Sequence, residues 1–153
     1  MPAQTEHYQG SCLCGSVHYE ITPPYTTFQY CHCSRCRKAT GSAHASNIII
    51  PPTQFAWISG EALVGRYEPK ESKHFANNFC KRCGSTLPWL AKTGGAVVVP
   101  AGTLDQAPGA HPERNIFWQS RAPWYTLPHQ LNAFPTLPNK SEACCLLDSK
   151  PTR

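Results

Sequence analysis

Hydrophobic and polar residues alternate in short bursts along this chain, and no apolar stripe recurs at helical spacing over a helix-length stretch. Val17, Tyr19 and Ile21 fall on one face and His18, Glu20 and Thr22 on the other, which predicts a half-buried strand over 17–22, closed by Pro23-Pro24. A second extended segment, 26–30, turns Phe28 and Tyr30 inward and leads straight into Cys31. The next residues, 34–39, have room for one helical turn. Residues 45–50 read as a strand ending in three β-branched residues and closed by Pro51-Pro52. Phe55 and Trp57 repeat the period of two, as do Leu63, Gly65 and Tyr67. Residues 73–79 alternate again, with Phe75, Asn77 and Phe79 on one side, and deliver Cys80. Gly94-Gly95 predicts a hairpin between 87–90 and the apolar run Ala96 to Val99. A polar loop with Pro108, Gly109 and Pro112 precedes Ile116-Phe117-Trp118, and the pieces at 123–125 and 131–134 are expected to pack as irregular structure. Short strands at roughly 8–12 residue spacing predict an all-β fold, a small sandwich or open barrel.

Composition sharpens this picture. The 153 residues suit one domain, here expected over 5–138, with a polar, mobile tail over 139–153. Fifteen prolines and ten glycines break the chain into short extended pieces and argue against a helix bundle. A formal charge of +5 without a run of like charges, and no basic stripe interleaved with aromatics, gives no support for a nucleic-acid surface. The first ten residues hold no apolar signal core and no later stretch is long enough for a membrane span, so a cytoplasmic protein with no membrane partner is expected.

Nine cysteines change the reading most. In a reducing compartment close cysteine spacings favour metal over disulfide, which stays the alternative for any one pair. Cys14-Gly15-Ser16 and Cys83-Gly84-Ser85 repeat one pattern, each closing a cysteine pair, Cys12-x-Cys14 and Cys80-x-x-Cys83. The glycine lets the backbone take positive φ and curl around an ion, so two such knuckles facing each other make a closed, structural four-thiolate zinc site. The run Cys31-His-Cys33-Ser-Arg-Cys36-Arg lacks that glycine and carries basic residues instead. Cys31, Cys33 and Cys36 are three ligands for a tetrahedral ion, leaving one position open; the alternative is closure by His32 or His44, or thiols buried as core. Cys144 and Cys145 have no knuckle around them and receive no role.

Zinc held by three thiolates carries a net charge of −1, a weak setting for making hydroxide but a good one for ionising an incoming thiol. A thiolate beside a carbonyl can add to it, and the reverse reaction breaks a carbon–sulfur bond. Arg35, Arg37 and Lys38 stand within two residues of the tripod and could offset the added charge or receive the carboxylates of a peptide thiol. His32, His44, His74 and Asp105 are candidate proton carriers.

These motifs, with Gly10-Ser-Cys-Leu-Cys-Gly-Ser, Cys31-His-Cys-Ser-Arg-Cys-Arg-Lys, Phe79-Cys-Lys-Arg-Cys-Gly-Ser and Ala101-Gly-Thr-Leu-Asp, resemble the glutathione-dependent formaldehyde-activating enzymes, also called the centromere protein V family. Ile116-Phe-Trp and Ala122-Pro-Trp-Tyr resemble the family's C-terminal segment. The resemblance implies a β-tent fold of short antiparallel sheets and two zinc ions per chain. The structural zinc would sit on Cys12, Cys14, Cys80 and Cys83, the catalytic one on Cys31, Cys33 and Cys36. It implies a carbon–sulfur lyase condensing glutathione with formaldehyde. Because these two reagents also combine unaided, a non-catalytic thiol carrier or a zinc-scaffolded interaction module is the alternative.

Overall fold

The computed structural model describes residues 6–139; the tail beyond, with Cys144 and Cys145, lies outside the described residues. Among the described residues the chain is all-β apart from one short α-helix and a few 3-10 turns. The strands are β1 (Tyr8–Ser11), β2 (His18–Ile21), β3 (Thr27–Cys31), β4 (Ala45–Ile50), β5 (Phe55–Ser59) and β6 (Val64–Tyr67). They continue with β7 (Asn77–Cys80), β8 (Thr86–Leu87), β9 (Trp89–Leu90), β10 (Val97–Pro100) and β11 (Arg114–Ile116), and α1 spans Ser34–Thr40. No described helix is long and apolar enough to cross a membrane. The chain divides after Pro123; the first unit carries every strand and both cysteine groups, and the described part of the second holds a 3-10 turn at Pro128–Gln130.

Three sheets make up the first unit: β1-β2-β5, β11-β3-β4-β10-β9 and β6-β7-β8. All pairings are antiparallel except β11 with β3, which is parallel. Val17, Tyr19 and Ile21 are fully buried, as their alternation predicts, and β4 occupies residues 45–50 as expected. The hairpin at Gly94-Gly95 closes β9 on β10, pairing Leu90 with Val97 and Trp89 with Val98.

Tyr8–Ser11, not among the strands expected above, pairs with β2 as an edge strand, Gly10 lying opposite Tyr19. The alternating stretch expected over 73–79 shortens to β7 at Asn77–Cys80, whose buried face is Asn78 and Cys80, continued by Ala76. The physical reason lies in Cys80, whose sulfur must point inward to meet Cys12 and Cys14, and the period of two fixes the rest of the strand from there.

Gly60 shows how tightly the knuckles sit on the sheets. It has φ +75, and a Cβ on it would overlap the Ser16 carbonyl oxygen beside the first knuckle. Neither the backbone sign nor the space admits a side chain. Gly60→Ala should therefore cost about 3 kcal/mol or more, read as a lower denaturation midpoint with an unchanged m-value.

Candidate metal centres and the cleft beside them

The first knuckle is the turn between β1 and β2, the second the turn between β7 and β8, so one ion held by both would staple the first sheet to the third. The sulfurs of Cys12, Cys14, Cys80 and Cys83 all lie within 4.8 Å of one another. Cys12 and Cys14 Sγ are 3.5 Å apart and Cys14 and Cys80 Sγ 3.9 Å. Thiolates at ~2.3 Å from a tetrahedral zinc sit about 3.8 Å from each other, so the donor set and its spacing fit that ion.

The repeated Cys-Gly-Ser has a geometric explanation. Gly15 (φ 69) and Gly84 (φ 76) take the left-handed conformation, and their N–H groups close the knuckles on the Cys12 and Cys80 carbonyls at 2.9 and 2.8 Å. Each serine hydroxyl then lies 3.3 Å from a sulfur, Ser16 from Cys14 and Ser85 from Cys83. These bonds pull the Cys14 thiol below its ordinary value and Cys83 down to about 5, while burial pushes Cys12 up. A serine that donates to a thiolate still has lone pairs to fill. Ser16 accepts from the Arg82 guanidinium at 2.9 Å, and Ser85 from the Leu13 N–H at 2.9 Å, so each knuckle braces the other's outer shell. Lys81 donates to the Ala62 carbonyl, away from the cleft at the tripod.

The tripod is assembled differently. Cys31 ends β3, Cys33 is the N-cap of α1 and Cys36 lies in its first turn. Cys33 Sγ accepts the Cys36 N–H at 3.4 Å, as a capping oxygen would. Gly41 ends the helix in the left-handed conformation, its N–H on the Arg37 carbonyl. The three sulfurs lie within 4.8 Å of one another, and among the described residues no fourth histidine, cysteine or carboxylate joins the group. Hydrogen bonds from Cys31 and then Cys36 draw the Cys33 thiol down to about 2, while the same contacts push Cys31 and Cys36 up.

β11 clamps this loop, because the His32 N–H bonds to the Ile116 carbonyl at 3.0 Å. His32 is fully buried and its Nε2 meets Asn115 Oδ1 at 2.9 Å. His44 stacks on Tyr30 with centroids 4.1 Å apart, and burial, with His32 nearby, holds it below its usual range. Of the four candidate proton carriers only His74 lines the cleft at the tripod; Asp105 sits at the other site, accepting from the Ser11 hydroxyl at 2.7 Å.

That cleft has a volume of about 510 Å³, and all three tripod cysteines line it. Arg35 lines it too, with its guanidinium 6.0 Å from the Phe75 ring, whereas Arg37 and Lys38 are not among the lining residues. Glu71, Lys73 and His74 supply further charged or titratable groups on one wall. The floor is one face of the five-stranded sheet, which sequence reading missed. Trp89, Val98 and Ile49 are neighbours across β9, β10 and β4 on that face and Ile116 pairs with Cys31 at its other edge, with Gln29 opposite Asn47 between them, while Phe28, Ile48 and Val99 on the other face enter the main core. The signal was present in Ile48-Ile49-Ile50 and Val97-Val98-Val99, runs that fail to alternate because both faces of β4 and β10 are apolar there.

Comparison with known proteins agrees with this arrangement. The sequence profile of the glutathione-dependent formaldehyde-activating enzymes matches residues 7–120. A Halomonas elongata protein provisionally named as such an enzyme is 28% identical over 127 residues, 76% of this chain and 78% of that one. An uncharacterized lyase of Schizosaccharomyces pombe is 35% identical over 89 residues, 58% of this chain and 60% of that one. A crystal structure of a Rhodobacter sphaeroides protein shares the fold, with a TM-score of 0.55 at 21% identity, covering 70% of this chain and 97% of the other. With the match running through both knuckles and the tripod, the chain belongs to the glutathione-dependent formaldehyde-activating enzyme family.

Proposed function

We propose that the protein is a carbon–sulfur lyase that joins and separates a glutathione-like thiol and a small aldehyde at Cys31, Cys33 and Cys36, with zinc in both cysteine groups, two per chain. The observation that carries this reading is the three-sulfur group opening on a cleft, with no fourth protein ligand among the described residues. Zinc there would hold an incoming thiol as its thiolate at neutral pH. The chain's own residues supply the rest. A glutathione-like thiol brings two carboxylates and an ammonium, and the cleft wall offers Arg35 and Lys73 for the first and Glu71 for the second. The sulfur pair forms a bond to the carbonyl carbon, the carbonyl π pair moves to oxygen, and that oxygen takes a proton, for which His74 is the titratable group at hand. Cleavage runs the same steps backwards. Arg37 and Lys38 are left to balance charge from outside the cleft. The described cysteines are all free, which fits a reducing, cytoplasmic setting.

Metal analysis with calorimetry tests the proposal. Two zincs per chain and glutathione binding that Cys33→Ser abolishes are expected, with aldehyde–thiol interconversion faster than the uncatalysed rate. Binding without acceleration would identify a thiol carrier; binding that survives Cys33→Ser would remove the tripod from the account.

A further inference from the structure

The wall that carries most of the charge in the cleft belongs to no sheet. Glu71, Ser72, Lys73, His74 and Phe75 line the cleft in succession. They lie in the connection over 68–76 between β6 and β7, which has no strand or helix of its own. Such a stretch has no ladder to hold it, so its side chains keep their direction only where its backbone is fixed from outside.

Within the connection, the Ser72 N–H bonds to the Pro69 carbonyl at 3.3 Å and the Phe75 N–H to the buried Ser72 hydroxyl at 2.9 Å. These bonds shape a turn but attach it to nothing else. Among the described residues, the hydrogen bonds that leave 69–75 for another element all end on Lys92. Its backbone N–H donates to the His74 carbonyl at 3.1 Å, and its ammonium to the Pro69 carbonyl at 3.0 Å and the Ser72 carbonyl at 2.7 Å. A compact ammonium with three donors can serve both carbonyls at once.

Lys92 is itself firmly seated. It stands half-buried in the turn between β9 and β10, which the Ala91 N–H closes on the Ala96 carbonyl and the Gly94 N–H on the Ala91 carbonyl, both at 2.8 Å. The same two strands give Trp89 and Val98 to the cleft floor. Lys92 does not line the cleft, so it fastens wall to floor without entering the space a ligand would take.

Resting on the reading of the tripod given above, we propose that Lys92 is a positioning residue for thiol recognition. Through the Pro69, Ser72 and His74 carbonyls it holds the turn so that Glu71, Lys73 and His74 meet the charged ends of a peptide thiol whose sulfur sits at Cys31, Cys33 and Cys36. A thiol without charged ends gains nothing from that wall and is indifferent to Lys92. With the ammonium gone, the turn keeps the Lys92 N–H and the Phe75 ring, 5.3 Å from that of Trp89. A peptide thiol must then order the wall as it binds, which weakens its affinity.

Lys92→Met removes the ammonium and keeps both the apolar stem and the backbone N–H. On the zinc-loaded full chain, hydrogen exchange followed by mass spectrometry should quicken at least about tenfold over 69–75 and stay unchanged over β3 and β4. The melting temperature should stay within a few degrees of wild type. In calorimetry, glutathione should bind at least about tenfold more weakly, while 2-mercaptoethanol, which has no charged group, should stay within about twofold of wild type. Unchanged exchange over 69–75 or an unchanged preference for glutathione would overturn the proposal. So would a variant that unfolds or that weakens both thiols alike, since either makes Lys92 a general structural residue. Thiol binding that does not depend on Cys33 is a separate failure: it would sink the tripod reading, and the role of Lys92 with it.

Discussion

Cys83→Ala should leave the chain unfolded or insoluble, whereas Cys36→Ala should fold and fail to bind glutathione. The difference follows from what each sulfur joins. Cys83 belongs to the group that ties the β1–β2 turn to the β7–β8 turn, two elements 66 residues apart at Cys14 and Cys80. A structural zinc supplies roughly 10–16 kcal/mol of apparent binding free energy, while a whole domain is stable by only ~5–15 kcal/mol. Losing the zinc proposed there would remove as much stability as the fold has. The second site spans only Cys31 to Cys36, and its neighbours β3, β4 and β11 are held by their own ladders. Truncating Cys36, buried with Cys31 and Ala45, costs about 1 kcal/mol of packing. Circular dichroism melts of the two variants beside wild type check this; similar melts would contradict the division between bracing and binding.

Graded chelation should remove zinc in two steps, and the steps should separate function from fold. The tripod has three protein ligands and borders a cleft, so a competing chelator can reach its ion and complete its coordination. The four-sulfur site is closed, its sulfurs bonded by Ser16, Ser85 and the Val17 N–H. The first zinc released should take glutathione binding with it and leave the melting temperature within a few degrees of wild type. Release of the second should coincide with unfolding. A colorimetric zinc indicator followed in parallel with circular dichroism and calorimetry reads both steps. Unfolding with the first equivalent would reverse the roles assigned to the two groups.

How much of this was legible from the residues varies element by element. The strand at 45–50 and the hairpin at Gly94-Gly95 were plain, because β-branched runs bounded by proline or glycine have few other conformations. The strand Tyr8–Ser11 was hidden, since an edge strand carrying Gln, Gly and Ser lacks the apolar alternation that marks a strand. β11 was hidden for another reason: it owes its conformation to parallel pairing with β3, some 85 residues earlier in the chain, and three residues carry no period of their own. Alternation over Lys73 to Phe79 does not by itself choose the inward face; the structure buries Asn78 and Cys80, because the Cys80 sulfur joins those of Cys12 and Cys14.

The local sequence alone determined which sulfurs form which group. A glycine after the second cysteine turns the backbone around a closed site, while its absence, with a helix cap in its place, leaves three sulfurs on one short loop; both are short-range properties of covalent geometry. Tertiary structure decided what surrounds the open group. Arg35 and not Arg37 lines the cleft, His74 and not His32 or His44 lines it too, and one face of the five-stranded sheet, apolar at Ile49, Val98 and Trp89, forms the floor. Those facts depend on the register of five strands drawn from positions 27 to 116, and spacing along the chain carries no information about register.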